Sequence, residues 1–92
     1  MEISFDPAKR DLTLEKRGLD FAHAIEVFSG LTATAPDVRQ NYPEPRFITA
    51  GHLGDRLVVI VWTPTPNGRR IISMRHAHAK EAQRWREQMD RP

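Results

Sequence analysis

Residues 57–62 read Leu-Val-Val-Ile-Val-Trp, an unbroken apolar run with four β-branched members. No polar residue marks a wet side, so the run predicts a central strand covered on both faces. Gly54-Asp55 just before it is a two-residue hairpin signal, which makes residues 46–53 its antiparallel partner and residues 56–63 the strand itself. Residues 64–68, Pro-Thr-Pro-Asn-Gly, read as a turn into a last strand from Arg69 to about Met74. Upstream, residues 31–36 alternate Leu/Thr/Ala and read as a further strand. The polar, proline-bearing residues 37–45 form a loop between them.

Helices are expected at both ends. Asp6-Pro7 is an N-cap followed by proline at the first helical position, and Gly18 is a C-terminal stop, which bounds a helix over 7–17. Asp20 caps a second helix over 21–29, with Phe21, Ala24, Ile25 and Phe28 spaced as one apolar stripe and Gly30 ending it. Residues 77–89 form the last helix, with Ala82, Trp85 and Met89 on one side. Residues 3–5 are short and apolar, a strand stub or a packed N-terminal arm. The expected fold is therefore α+β in the order ααββββα: two N-terminal helices, an antiparallel sheet of about four strands and a C-terminal helix.

A chain of 92 residues is expected to make one domain, 1–92, burying roughly 60–65% of its unfolded surface. It contains no cysteine, which removes disulfides, thiolate catalysis and cysteine-based zinc sites. No apolar run approaches the ~18 residues of a membrane span and the N-terminus is not a signal peptide, so a cytoplasmic location with no membrane partner is expected.

Net charge is only +2, so distribution says more than balance. Lys9, Arg10, Lys16 and Arg17 fall in the first helix. Within residues 69–81, six of thirteen side chains are Arg, His or Lys. A strand that leads into such a cluster suits a phosphate-bearing partner, most simply RNA. His76-Ala77-His78 offers two possible metal ligands but no third, so no metal and no cofactor is expected. His76 and His52 have equal chemical claims as acid or base. His23 reads as a surface helix residue, and Trp62 reads as core rather than as a base-stacking platform.

Several of these segments together resemble the BrnT toxins. The pattern Asp6-Pro7-Ala8-Lys9, Lys16, Gly18, Phe21, Ala24 and Val27-Phe28 is similar to their N-terminal half, and Arg46-Phe47-Ile48 with Gly51 to their middle. Arg70-Ile71-Ile72-Ser73, Arg75 and Glu81 resemble their C-terminal signature. The resemblance extends from about Asp6 to Trp85. It implies a RelE-like fold and a ribonuclease toxin of a type II toxin–antitoxin system that arrests translation. It also implies a BrnA-type antitoxin with a ribbon-helix-helix region, through which alone the pair contacts operator DNA. Departures from the family pattern fall at Thr13, Arg17, Pro45, Met74 and Trp85; Pro45 stands where a carboxylate is usual.

On the residues alone, Arg46 and Arg70 read as charges that solubilise a sheet edge. The resemblance implies instead that Arg46, Arg70 and Arg75 hold the scissile phosphate of RNA without a metal ion, with Lys16 assisting; His76 joins them as an assistant on the chemistry of its imidazole, since the family does not depend on a histidine there. Lys9, Arg17, Arg69 and Lys80 then serve as RNA-binding cations and Glu81 orients Arg75. The competing reading is a non-catalytic module that binds RNA or antitoxin and contributes to operon autoregulation. One constraint applies in either case. In an unbroken strand Arg70, Ile72 and Met74 share one face and Arg75 takes the other. Arg70 and Arg75 meet only if the strand bulges or ends at Arg75, and the second is the expectation.

Overall fold

The computed structural model describes residues 1–89. Its elements are β1 (Glu2–Phe5), α1 (Pro7–Arg17), a 3-10 turn (Phe21–His23) leading into α2 (Ala24–Phe28), β2 (Thr32–Pro36), β3 (Phe47–Leu53), β4 (Arg56–Thr65), β5 (Gly68–His76) and α3 (Ala79–Met89). The class is α+β, but the expected order ααββββα is overturned. A strand precedes the helices, and the sheet is mixed and five-stranded, in the order β1-β5-β4-β3-β2.

The fifth strand is the short apolar segment at the N-terminus. It pairs in parallel with β5, from Glu2 opposite Gly68 to Phe5 opposite Ile71. Ile3 and Phe5, two residues apart, turn to the same side and pack against the core, with the Phe5 ring edge-on to Phe21 at 5.9 Å. Sequence alternation over four residues is too short to distinguish such an edge strand from a packed arm. Among the described residues, no helix is long and apolar enough to cross a membrane.

The run that opened the sequence reading is β4, paired on both sides by β3 and β5. Val58, Ile60 and Trp62 face α2 together with Ile71 and Met74 of β5, and they meet Leu19, Phe21, Ala24 and Val27 in one buried cluster. The inner stripe differs from the one expected, since Val27 is buried and Ile25 is 39% exposed. The tighter 3-10 entry accounts for this: three residues per turn stack Phe21, Ala24 and Val27 on one line. Gly51 of β3 lets α2 sit close, because a Cβ there would lie 2.8 Å from Val27 Cγ1. Thr49, fully buried in this layer, bonds to Thr34 Oγ1 and accepts a hydrogen bond from Trp62 Nε1, both at 2.8 Å.

The first helix buries none of its residues completely. Asp6 caps its start and left-handed Gly18 (φ 69°) ends it, as the sequence signals require. Polar contacts secure it. Arg10 grips Asp20 through two 2.9 Å bonds, and Arg17 donates to the Met74 carbonyl at 3.0 Å. Beyond Phe5 the outer side of β5 has no strand neighbour, and α1 covers it. On the far side of the sheet lies α3, with Trp85 edge-on to His52 at 5.6 Å.

Candidate functional site

Backbone pairing sorts the side chains of the sheet into two faces. One packs against α2. The other, the outer face, is only partly covered by α3 and carries Val59, Val61 and Thr63 of β4. Cross-strand partners share a face. The outer face therefore continues through Ala50 and Ile48 of β3, and through Ser73 and Arg70 of β5.

Strand β5 continues through His76 and does not end at Arg75 as expected. Val61 pairs with Ser73 but Trp62 pairs with Ile71, so Ile72 has no partner on β4. This bulge shifts the alternation by one residue. Arg70, opposite Thr63, and Arg75, opposite Val59, consequently share the outer face. Their partners lie four residues apart on β4, which separates the two Cα atoms by ~13 Å.

Arg46 joins the same face. The Asp37 N–H donates to the Arg46 carbonyl at 2.8 Å and extends the β2–β3 ladder one step beyond Pro36–Phe47. Arg46 thus falls opposite Thr63, and one row crosses the sheet as Asp37, Arg46, Thr63, Arg70 and Ser4. Two strand spacings put Arg46 and Arg70 ~10 Å apart at the backbone, on either side of Thr63.

Carboxylates hold most of these guanidinium groups. Arg46 donates to Glu44 at 3.1 Å, and its guanidinium lies 4.2 Å from the centre of the Tyr42 ring. Arg75 grips Glu81 at 2.7 and 2.9 Å, which raises the guanidinium's pKa and lowers that of Glu81 to about 2. Glu81 also accepts the His78 N–H at 2.8 Å, the backward half of a capping box at the start of α3. Arg70 is exposed and, among the described residues, makes no side-chain hydrogen bond or ion pair.

The loop between β2 and β3 adds a fourth arginine that the sequence reading passed over. Arg39 grips the fully buried Asp37 carboxylate through two 2.8 Å bonds. Those bonds, with a further one from Tyr42, hold Asp37 well below the usual carboxylate range. Arg39 is near enough for its charge to act on Arg75. A signal for this clamp existed in the sequence. Asp37/Arg39 and Glu44/Arg46 each place a carboxylate two residues before an arginine, on the same side of an extended chain.

The remaining cations disperse. Lys9, Thr13 and Lys16 of α1 line a notch of about 270 Å³ with Ile72 and Ser73, so the bulge forms its floor and Ser73 joins it to the outer face. Arg17 borders that notch but is held by the Met74 carbonyl. His76 pairs with Val58 on the helix face, with Nε2 3.4 Å from the Arg17 carbonyl, away from Arg70 and Arg75. Arg69 also turns to the helix face, its guanidinium 4.1 Å from the Phe28 ring centre and 4.4 Å from that of Trp62. Trp62 itself is buried, stacked on Phe47 at 5.0 Å. Lys80 is exposed in the first turn of α3.

The outer face thus sets arginines, two of them held by carboxylates, around a floor in which Val59, Val61 and Thr63 are buried, an arrangement that can hold an extended polyanion and stabilise added charge on it. The model of a family described as "Ribonuclease toxin, BrnT, of type II toxin-antitoxin system" matches residues 5–81. No curated protein matches the chain.

Proposed function

Because the chain belongs to the BrnT family of ribonuclease toxins of type II toxin–antitoxin systems, we propose that the outer face of its sheet is where RNA is bound and cut. The observation that carries this is the row in which Arg46 and Arg70 flank Thr63, with Arg75 brought to the same face by the bulge at Ile72. In this reading Arg46 and Arg70 hold the scissile phosphate and Arg75 takes a neighbouring one. Lys16 and Lys9 steady the backbone where it passes the notch, and Lys80 lies beyond Arg75 on α3. Glu81 fixes the direction of Arg75.

The ribose 2′-oxygen attacks the adjacent phosphorus, and the bond from phosphorus to the 5′-oxygen breaks. The products are a 2′,3′-cyclic phosphate and a 5′-hydroxyl. The five-coordinate state between them carries extra negative charge, and guanidinium groups remain protonated to stabilise it. This positive charge is of the kind a metal ion supplies in other nucleases, so cleavage is expected to proceed in chelator. Lys16 is the proposed proton carrier, and His76 has no part because it lies on the helix face.

Family membership implies an antitoxin partner. The antitoxin is proposed to be of the BrnA type, with a ribbon-helix-helix region that alone touches operator DNA. A second reading, in which the face binds RNA or antitoxin without cutting, draws on one observation: the row from Asp37 to Ser4 contains no imidazole, and its one carboxylate is already clamped. Purified protein incubated with single-stranded RNA in EDTA separates the two. Cyclic phosphate ends support cleavage, whereas RNA bound and protected without new ends supports the second reading.

A further inference from the structure

The loop between β2 and β3 borders a wide, open depression of about 770 Å³ beside Arg46. Its walls combine the Tyr42 ring stacked with Arg46, the rings of Pro43 and Pro45, and the side-chain amides of Gln40 and Asn41. Flat rings and carboxamides in one lining, beside the Asp37 and Glu44 carboxylates that Arg39 and Arg46 hold, suit an unpaired nucleobase. Such bases stack on aromatic rings and guanidinium planes, and amides pair with their edges. The loop is not left to drift. Asp37, buried and bonded to Arg39, pins its first half, while Thr63 Oγ1 donates to the Pro45 carbonyl at 2.6 Å and pins its second.

We propose that this pocket receives the base of the nucleotide next to the scissile phosphate and gives the protein a base preference at that position. The proposal rests on the outer face being the RNA-binding surface. It follows from the position of Arg46, which belongs both to the pocket wall and to the row that runs on through Thr63 to Arg70. A phosphate held between Arg46 and Arg70 leaves its attached nucleoside beside Tyr42. The ligand class is single-stranded RNA, since a paired base cannot turn its face into the pocket.

Tyr42 is the sole tyrosine in the sequence, so its ring resonances form a unique probe. The protein is titrated with a single-stranded tetranucleotide and, separately, with an abasic tetranucleotide of the same backbone, while Tyr42 and Arg70 are followed by NMR. Both ligands are expected to shift Arg70, and only the base-bearing one to shift Tyr42. Tyr42→Ala should weaken the base-bearing ligand about tenfold more than the abasic one, and Tyr42→Phe should retain most of the difference. Binding at Arg70 with Tyr42 equally affected, or equally unaffected, by both ligands overturns this inference alone. Failure of both ligands to bind overturns it together with the proposed RNA-binding face.

Discussion

Arg70 and Arg75 lie on one face of β5 although five positions separate them, because the unpaired Ile72 between them absorbs one step of the alternation. Without that bulge Arg75 would point into the layer that Ile60 and Met74 fill. The bulge also supplies the floor of the lysine notch beside α1, so it both aligns the arginines and gives the notch access to them.

Glu81 ties Arg75 to α3, and its contribution depends on its charge. Its folded-state pKa is lowered to about 2 by Arg75, and that of Asp20 to about 2 by Arg10. A depressed folded pKa stabilises the protein above the unfolded value near 4.5, and the gain is lost as pH falls toward 2. Urea midpoints should fall between pH 5 and pH 2. Glu81→Gln should cost about 1 kcal/mol at pH 7, a figure reduced for the pair's partial exposure, and should flatten this acid dependence. An unchanged slope in the variant would remove Glu81 from the account.

Thr49 should be a costly place to lose a hydroxyl. Its Oγ1 accepts the Trp62 indole N–H in a fully buried layer. Thr49→Val leaves that donor unsatisfied and should destabilise by about 1–3 kcal/mol in denaturant unfolding. Thr34→Val removes only the exposed member of the chain and should cost less.

Gly51 is required by the approach of α2 and not by its own backbone angles. A Cβ would meet Val27 Cγ1 at 2.8 Å and Thr32 Cγ2 at 3.1 Å. Gly51→Ala should cost about 1–3 kcal/mol, and Val27→Ala should relieve part of this in the double variant, read from a thermodynamic cycle.

RNA affinity should fall with salt in proportion to the phosphates contacted. For single strands each contact contributes ~0.7 to the slope of log affinity against log salt. Arg70→Ala should lower the slope by about that amount. Arg10→Ala should leave it unchanged, since Arg10 is spent on Asp20.

Much of the fold is legible in the sequence where a signal is local. The Asp6-Pro7 start, the Gly18 stop, the Gly54-Asp55 turn and the six-residue core of β4 all depend on neighbours in the chain. Three features were not legible because they depend on distant partners. The segment from Glu2 to Phe5 becomes a strand only through β5, and Ile72 is a bulge only relative to Val61 and Trp62. Arg39 comes near Arg75 only because the loop returns toward the sheet, although its clamp on Asp37 is local. The candidate site was legible as residue types, from the resemblance, but its geometry was not. Alternation alone separates Arg70 from Arg75, and nothing in the order of residues shows that Arg69 faces Trp62 while its neighbour faces outward.

That last pair gives the most direct test. Arg69 and Arg70 are adjacent and equally charged, but Arg69 packs on Phe28 and Trp62 while Arg70 joins Arg46 on the outer face. Cleavage rates of single-stranded RNA should be measured for Arg70→Ala and Arg69→Met, each at matched folded fraction by circular dichroism. A loss of about 10²–10³-fold in rate is expected for Arg70→Ala, and a rate within a few-fold of the parent for Arg69→Met. Equal losses, or a larger loss for Arg69→Met, would contradict the assignment of RNA chemistry to the outer face.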